Sequence, residues 1–340
     1  MNEKRRMTSY HYTRELRIGF IGDRRICRLA DFAARLSCTI MLLTRTQLKP
    51  RREMMMNEVR RAMQAAATGR EQIAAAFAVA KQRGRSAALM PYYTLGYPDR
   101  ATSLDIIAAI AADSDLLELG VPFSDPLADG PTIQHSTQVS LEQGTTLDDC
   151  LEMVRELRHR GVHTPILLFG YYNPFLAYGL ERLAIVARAA GAQGFIVPDL
   201  PPEEAADMDA AAAREGLAYI YFLAPTSNAH RIEIVTRQAN GFIYLVSVTG
   251  VTGARQHIGT NLAEFVDRVC GHTRTGGHMA MPLAIGFGIS TPEQAAAVGG
   301  LADGVIVGSA LINAVDRVGD DKPKAAAAFV RSLRDALDVT

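Results

Sequence analysis

Eight short apolar runs recur along this chain from about residue 70 onward, each followed by a longer amphipathic stretch. That rhythm restricts the fold more than any other feature. The runs are LMPYYTL (89–95), LLELGVP (116–122), ILLFGYY (166–172), GFIVPDL (194–200), YIYFLAP (219–225), GFIYLVSV (241–248), PLAIGFGI (282–289) and GVIVGSAL (304–311). They are rich in Ile, Val, Tyr and Phe and are punctuated by Gly, Pro, Ser or Asp, which is the composition of β-strands. Near-continuous apolarity marks parallel strands covered on both faces. The intervening segments carry helix starts. Thr102 with Asp105, and Asn261 with Glu264, have the spacing of capping boxes. Thr291–Pro292 puts proline at the first helical position, where its missing N–H costs nothing. The stretch from Pro323 to Leu337 supplies a closing helix. Eight strand–helix units in ~250 residues predict an α/β fold, the (β/α)8 TIM barrel, over residues 69–340. An open doubly wound sheet is the competing architecture. It carries a GxGxxG turn after its first strand, and TLGYP (94–98) does not match.

Composition narrows the function classes. The chain has 36 basic and 36 acidic residues, so as a whole it has no electrostatic footprint for nucleic acid. No run of ~18 apolar residues is present to span a membrane. Cys27, Cys38, Cys150 and Cys270 form no CxxC pair, which argues against a disulfide framework or zinc site and for a reducing cytoplasm. His159 and His163 lie four apart without a carboxylate or cysteine partner, so no metal site is expected. The charge is uneven: residues 1–68 hold fifteen Lys and Arg against six Asp and Glu. A transit peptide would be Arg-rich but also Ser-rich, and only Ser9 and Ser37 occur there. A basic binding arm is a second reading. The favoured one is an extension outside the fold, disordered or upstream of a true start at Met54–Met56 or Met63.

The active site of such a barrel forms at the carboxyl ends of its strands, so polar groups there are the candidates. Glu118 interrupts the second apolar run. Side chains alternate along a strand, so Leu117, Leu119 and Val121 face the helices while Glu118 points into the barrel mouth beside Gly120. Burial there disfavours the charged carboxylate and makes Glu118 a proton donor near neutrality. The next loop adds Asp125 and Asp129 among Pro122, Pro126, Gly130 and Pro131, a density of rigid turn residues that prescribes a fixed path. Two carboxylates in different surroundings can divide acid and base roles. GFGIS (286–290) and GSAL (308–311) close the last two strands, where barrels often bind phosphate through glycine turns and a short helix. Gly286, Gly288, Gly308 and the Ser309 hydroxyl suit that task. The long loop after strand six, SVTGVTGARQHIGTN (247–261), reads as a water-excluding lid, with Tyr244 beneath it.

LELGVPFSDPLADGPTIQ (117–134) closely resembles the signature of the tryptophan synthase alpha chain family. The resemblance continues through TLGYP, YYNP (171–174), VPDLP (197–201), YLVSVTGVTGAR (244–255) and GFGIS. It spans roughly residues 70–338, including an extra amino-terminal helix before strand one, and leaves out residues 1–68. It implies retro-aldol cleavage of indole-3-glycerol phosphate to indole and glyceraldehyde 3-phosphate. Glu118 falls on the family's catalytic glutamate, Asp129 on the aspartate that holds the indole N–H, and Tyr244 on a tyrosine near that glutamate. Gly253, Gly288, Gly308 and Ser309 match phosphate contacts, Tyr92 and Phe287 flank the indole, and Thr252 matches the lid threonine. Val248 stands where some members have arginine. The resemblance implies no cofactor in this subunit, with pyridoxal phosphate in a partner beta subunit that joins it as an alpha2beta2 tetramer.

Two enzymatic rivals, indole-glycerol-phosphate synthase and phosphoribosylanthranilate isomerase, would need a catalytic lysine or a cysteine–aspartate pair at early strand ends. TLGYP supplies neither. A barrel that only activates a partner is the non-catalytic alternative, against which both Glu118 and Asp129 speak.

Overall fold

The structure is a computed structural model that describes residues 67–246, 255–275, 281–286 and 288–338. The basic extension therefore lies almost wholly outside the described residues. Eight parallel strands close into a barrel in chain order, with the eighth pairing to the first. They are β1 (Ala88–Thr94), β2 (Leu117–Gly120), β3 (Ile166–Phe169), β4 (Gly194–Ile196), β5 (Ala218–Leu223), β6 (Ile243–Val246), β7 (Leu283–Gly286) and β8 (Gly304–Val307). The helices in the first half are α1 (Gly69–Gln82), α2 (Arg100–Ala111), α3 (Pro131–Glu142), α4 (Leu147–His159), α5 (Tyr172–Tyr178) and α6 (Leu180–Ala190). Those in the second half are α7 (Ala206–Arg214), α8 (Ala229–Gln238), α9 (Arg255–Thr275), α10 (Pro292–Gly299), α11 (Ser309–Asp316) and α12 (Lys322–Leu337). The TIM barrel with an extra amino-terminal helix is the observed fold.

All eight expected strands are present, but most stop short of the apolar runs that announced them. GVIVGSAL ends its ladder at Val307 and turns helical at Ser309, and ILLFGYY ends at Phe169 before α5 begins at Tyr172. Residues past the assigned strand ends stay apolar because they remain buried. Val121 and Tyr171, for example, are both buried. Two capping assignments are corrected. Asp99, not Thr102, caps α2, accepting from the Thr102 backbone at 2.9 Å and from its hydroxyl at 2.7 Å. Asn261 lies within α9, which begins at Arg255. Thr291 does cap α10 with Pro292 in its first turn, and the closing helix spans α12 as expected. Among the described residues no helix is long and apolar enough to cross a membrane.

The amino-terminal end of the barrel is closed by α1. A Thr68–Glu71 capping box starts this helix. Its inner face carries Ile73 and Phe77, whose ring lies 5.8 Å from Phe242 ahead of β6. Its first amide donates to Gly216 O ahead of β5 at 2.7 Å. The closing helix is fastened at the same end by a buried ionic cluster. Asp115 accepts from Arg85 at 2.6 Å, from the Leu89 amide at 2.8 Å and from Arg334 of α12. Arg334 is only 4% exposed. Removing one member of such a cluster leaves the others buried and uncompensated. Asp115→Ala is therefore expected to lower unfolding stability by ~3–5 kcal/mol, read as a fall in the urea midpoint at unchanged slope.

Candidate active site

Strand β2 sets the central group. Leu117 and Leu119 pack under the helices, so alternation turns Glu118 inward, and all of them are 0% exposed. Neither Glu118 carboxyl oxygen has a hydrogen-bond partner among the described residues. A buried, unpaired carboxylate is costly enough that the group holds its proton instead. Burial alone accordingly pushes the Glu118 pKa well above the usual carboxylate range.

Asp129 sits differently. It ends the proline-rich loop after β2, one residue before Gly130, the N-cap of α3. Its amide closes a turn onto Pro126 O at 3.1 Å. Tyr171, at the end of the third apolar run, accepts from the Ala128 amide at 2.9 Å and donates its hydroxyl to Asp129 Oδ2 at 2.9 Å. Partial burial raises the Asp129 pKa to about 6, and the Tyr171 hydrogen bond opposes that rise. Burial thus favours the protonated form of Glu118, while Asp129, at about 6, is largely ionised near neutrality, a separation that suits one acid and one anion. Asp125 takes no part. It is exposed, hydrogen-bonded by its neighbour Ser124, and away from the cavity.

A cavity of about 210 Å³ at the carboxyl ends of the strands brings together Tyr92, Glu118, Asp129, Tyr244, Gly288, Gly308 and Ser309. Two inward glycines make room for the tyrosines. A Cβ on Gly120 would lie 2.0 Å from the Tyr92 hydroxyl, and one on Gly286 would lie 2.2 Å from the Tyr244 hydroxyl. At the ends of β7 and β8, Gly288 adopts a φ of +81°, a conformation side chains rarely take. Gly308 is the N-cap of α11 and has no side chain to cap it. The first amides of α11 therefore face the cavity with the positive end of the helix dipole behind them, an arrangement suited to a phosphate. Asn313 and Ser290 also line this wall.

The remaining sequence candidates, Thr252, Gly253 and Phe287, together with Val248, lie outside the described residues. Tyr171 is the residue that reading along the chain missed. Its only signal was a polar-tipped aromatic at a strand end, inside the YYNP motif. Among the described residues no group of three or more His, Cys, Asp or Glu could hold a metal ion.

The family model for the tryptophan synthase alpha chain matches residues 77–338. The tryptophan synthase alpha chain of Chloroflexus aurantiacus is 50% identical over 267 residues, covering 78% of this chain and 98% of its own. That of Geobacter sulfurreducens is 48% identical over 267 residues, with the same coverage of 78% and 98%. Among solved structures, the tryptophan synthase subunit alpha of Legionella pneumophila superposes with a TM-score of 0.71 at 37% identity, covering 78% of this chain and 98% of that one. A Mycobacterium tuberculosis tryptophan synthase chain gives 0.71 at 33% identity, covering 81% and 100%.

Proposed function

Because this chain belongs to the tryptophan synthase alpha chain family, we propose that its barrel mouth carries out the family's reaction with Glu118 as proton donor and Asp129 as the anion opposite the indole nitrogen. The reaction is carbon–carbon cleavage of indole-3-glycerol phosphate to indole and glyceraldehyde 3-phosphate, a lyase step of L-tryptophan biosynthesis. The observation that carries the residue assignment is the solitary, fully buried carboxyl of Glu118 in the same cavity as an ionisable Asp129 and a helix amino terminus.

An aromatic carbon must be protonated before it can leave as indole. Neutral Glu118 gives its proton to C3, and the positive charge that develops on N1 is met by the Asp129 carboxylate. Glu118, now a carboxylate, takes the proton from the hydroxyl on the adjacent chain carbon as the carbon–carbon bond breaks. The bonding pair returns to the indole ring, neutralising N1, and the chain carbon becomes the aldehyde. Glu118 finishes protonated, so one carboxyl serves as acid and then base. Tyr244 packs beside it. Gly288, Gly308 and Ser309 hold the phosphate, joined in this reading by Gly253. Tyr92 and Phe287 flank the indole ring, and Thr252 closes the lid.

The scheme draws on no cofactor in this chain. Pyridoxal phosphate belongs to a partner beta subunit, with which the chain forms an alpha2beta2 tetramer in the cytoplasm. The deciding assay measures indole released from indole-3-glycerol phosphate by the isolated protein and by its mixture with beta subunit. Slow release alone and marked stimulation by the partner are expected. No indole in either arm would defeat the proposal.

A further inference from the structure

A line of three buried hydroxyls runs from the cavity into the wall behind it. The Tyr92 hydroxyl lies 3.4 Å from Thr94 Oγ1, which lies 2.7 Å from Ser136 Oγ on α3. Ser136 in turn donates to the Ile133 carbonyl at 2.9 Å. Thr94 and Ser136 are both 0% exposed, and neither lines the cavity. Proton accounting fixes the direction of this chain. A carbonyl only accepts, so the single Ser136 proton is committed to Ile133. Thr94 must therefore donate to Ser136, which leaves Thr94 Oγ1 as an acceptor facing Tyr92. The phenol proton is drawn down the chain, and the phenol oxygen turns a lone pair to the cavity.

The course of the Tyr92 side chain shows what meets that lone pair. Its base lies beside the anion-binding wall, since a Cβ on Gly308 would sit 3.3 Å from Tyr92 Cβ. Its tip lies over Gly120, on the same inward face as Glu118 and one step nearer the mouth. Tyr92 thus spans the gap from the phosphate cradle to the catalytic carboxyl. Any molecule with its phosphate on Gly308–Ser309 and its reacting carbon at Glu118 lays its connecting chain along this ring. Neither Glu118 oxygen has a hydrogen-bond partner among the described residues, so Glu118 does not occupy this lone pair, and a hydroxyl of a bound ligand can reach it.

We infer that Tyr92 is a specificity-determining residue whose phenol oxygen accepts a hydrogen bond from a hydroxyl of the substrate's three-carbon chain, with Thr94 and Ser136 as positioning residues that orient it. This rests on the proposed function, and it adds recognition of the chain hydroxyls to recognition of the ring and the phosphate.

The test uses the full-length Glu118→Gln protein, in which slowed turnover is expected to let binding be read, and two ligands measured by calorimetry. One is indole-3-glycerol phosphate. The other is indole-3-propanol phosphate, which keeps ring and phosphate but lacks the chain hydroxyls. Adding Tyr92→Phe should weaken the hydroxylated ligand by about tenfold, one neutral hydrogen bond of ~1.4 kcal/mol, and leave the propyl ligand within about twofold. Thr94→Val should weaken the hydroxylated ligand by a smaller factor and add nothing once Tyr92→Phe is present, the non-additivity expected of residues that act as one unit. Equal loss for both ligands, no loss for either, or multiplying effects of the two substitutions would overturn the inference. If the protein with Tyr92 intact binds neither ligand, the functional proposal itself fails, and the inference falls with it.

Discussion

Glu118→Gln is expected to reduce indole release by ~10²–10⁴-fold while leaving phosphate-ligand affinity nearly unchanged. The amide keeps the shape of the carboxyl but can neither protonate C3 nor take the hydroxyl proton, so both halves of the exchange are lost together. Binding survives because the anion-binding groups, Gly288 and the α11 amino terminus, come from the ends of β7 and β8 and not from β2. The pH profile separates this loss from a packing effect. The active form of Glu118 is the neutral one, and its pKa is raised by burial. Turnover by the unsubstituted protein should therefore fall as pH rises through that raised value. The residual rate of Glu118→Gln should lack this alkaline limb. Full activity in the glutamine variant would remove Glu118 from the chemistry.

The same group predicts an opposite change in stability. A carboxyl whose folded pKa lies above its unfolded value contributes stability that is complete below the unfolded pKa, ~4.3 for Glu, and is lost as pH rises toward the folded value. Near pH 8 the protein therefore carries a buried group whose charged form the fold disfavours. The unfolding temperature of Glu118→Gln should exceed that of the unsubstituted protein at alkaline pH, with the difference closing toward pH 4. Catalytic need and stability pull apart at this one position.

Legibility along the chain followed how local each cause was. The eight strands were readable because a parallel strand covered on both faces is apolar along its whole length, as in ILLF (166–169) and GVIV (304–307). Their ends were not readable, since Val121, Tyr171 and Val197 lie past the assigned strands yet remain buried, so apolarity continues where the strand stops. Capping failed where two acceptable spacings overlapped. Thr102–Asp105 has the form of a box, but Asp99 stands three residues earlier and already satisfies the Thr102 amide. Glu118 was readable because an acid inside an apolar strand has few explanations. Tyr171 was not, because its significance comes from Ala128 and Asp129, residues 43 and 42 positions away. The hydroxyl chain from Tyr92 through Thr94 to Ser136 likewise exists only once β1 packs against α3.

Asp129→Asn should cost ~10²–10³-fold in turnover, the loss typical of removing one preorganised electrostatic contact to developing charge. The positive charge on the indole nitrogen appears only as C3 is protonated, so the carboxylate stabilises the transition state more than the bound substrate. The penalty should therefore fall mainly on kcat. Because Asp129 acts as an anion with a pKa of about 6, kcat/KM of the unsubstituted protein should drop as pH falls through that region, and Asp129→Asn should lack this acid limb. Tyr171 gives an independent handle. Its hydroxyl stabilises the ionised Asp129, so Tyr171→Phe leaves the carboxylate less favoured and moves the acid limb upward. The variant should then be impaired more at pH 6 than at pH 8, where Asp129 is ionised with or without the hydrogen bond. An equal loss at both pH values would mean that Tyr171 only packs the loop. An acid limb that persisted in Asp129→Asn would place the titrating anion on some other residue of the barrel mouth.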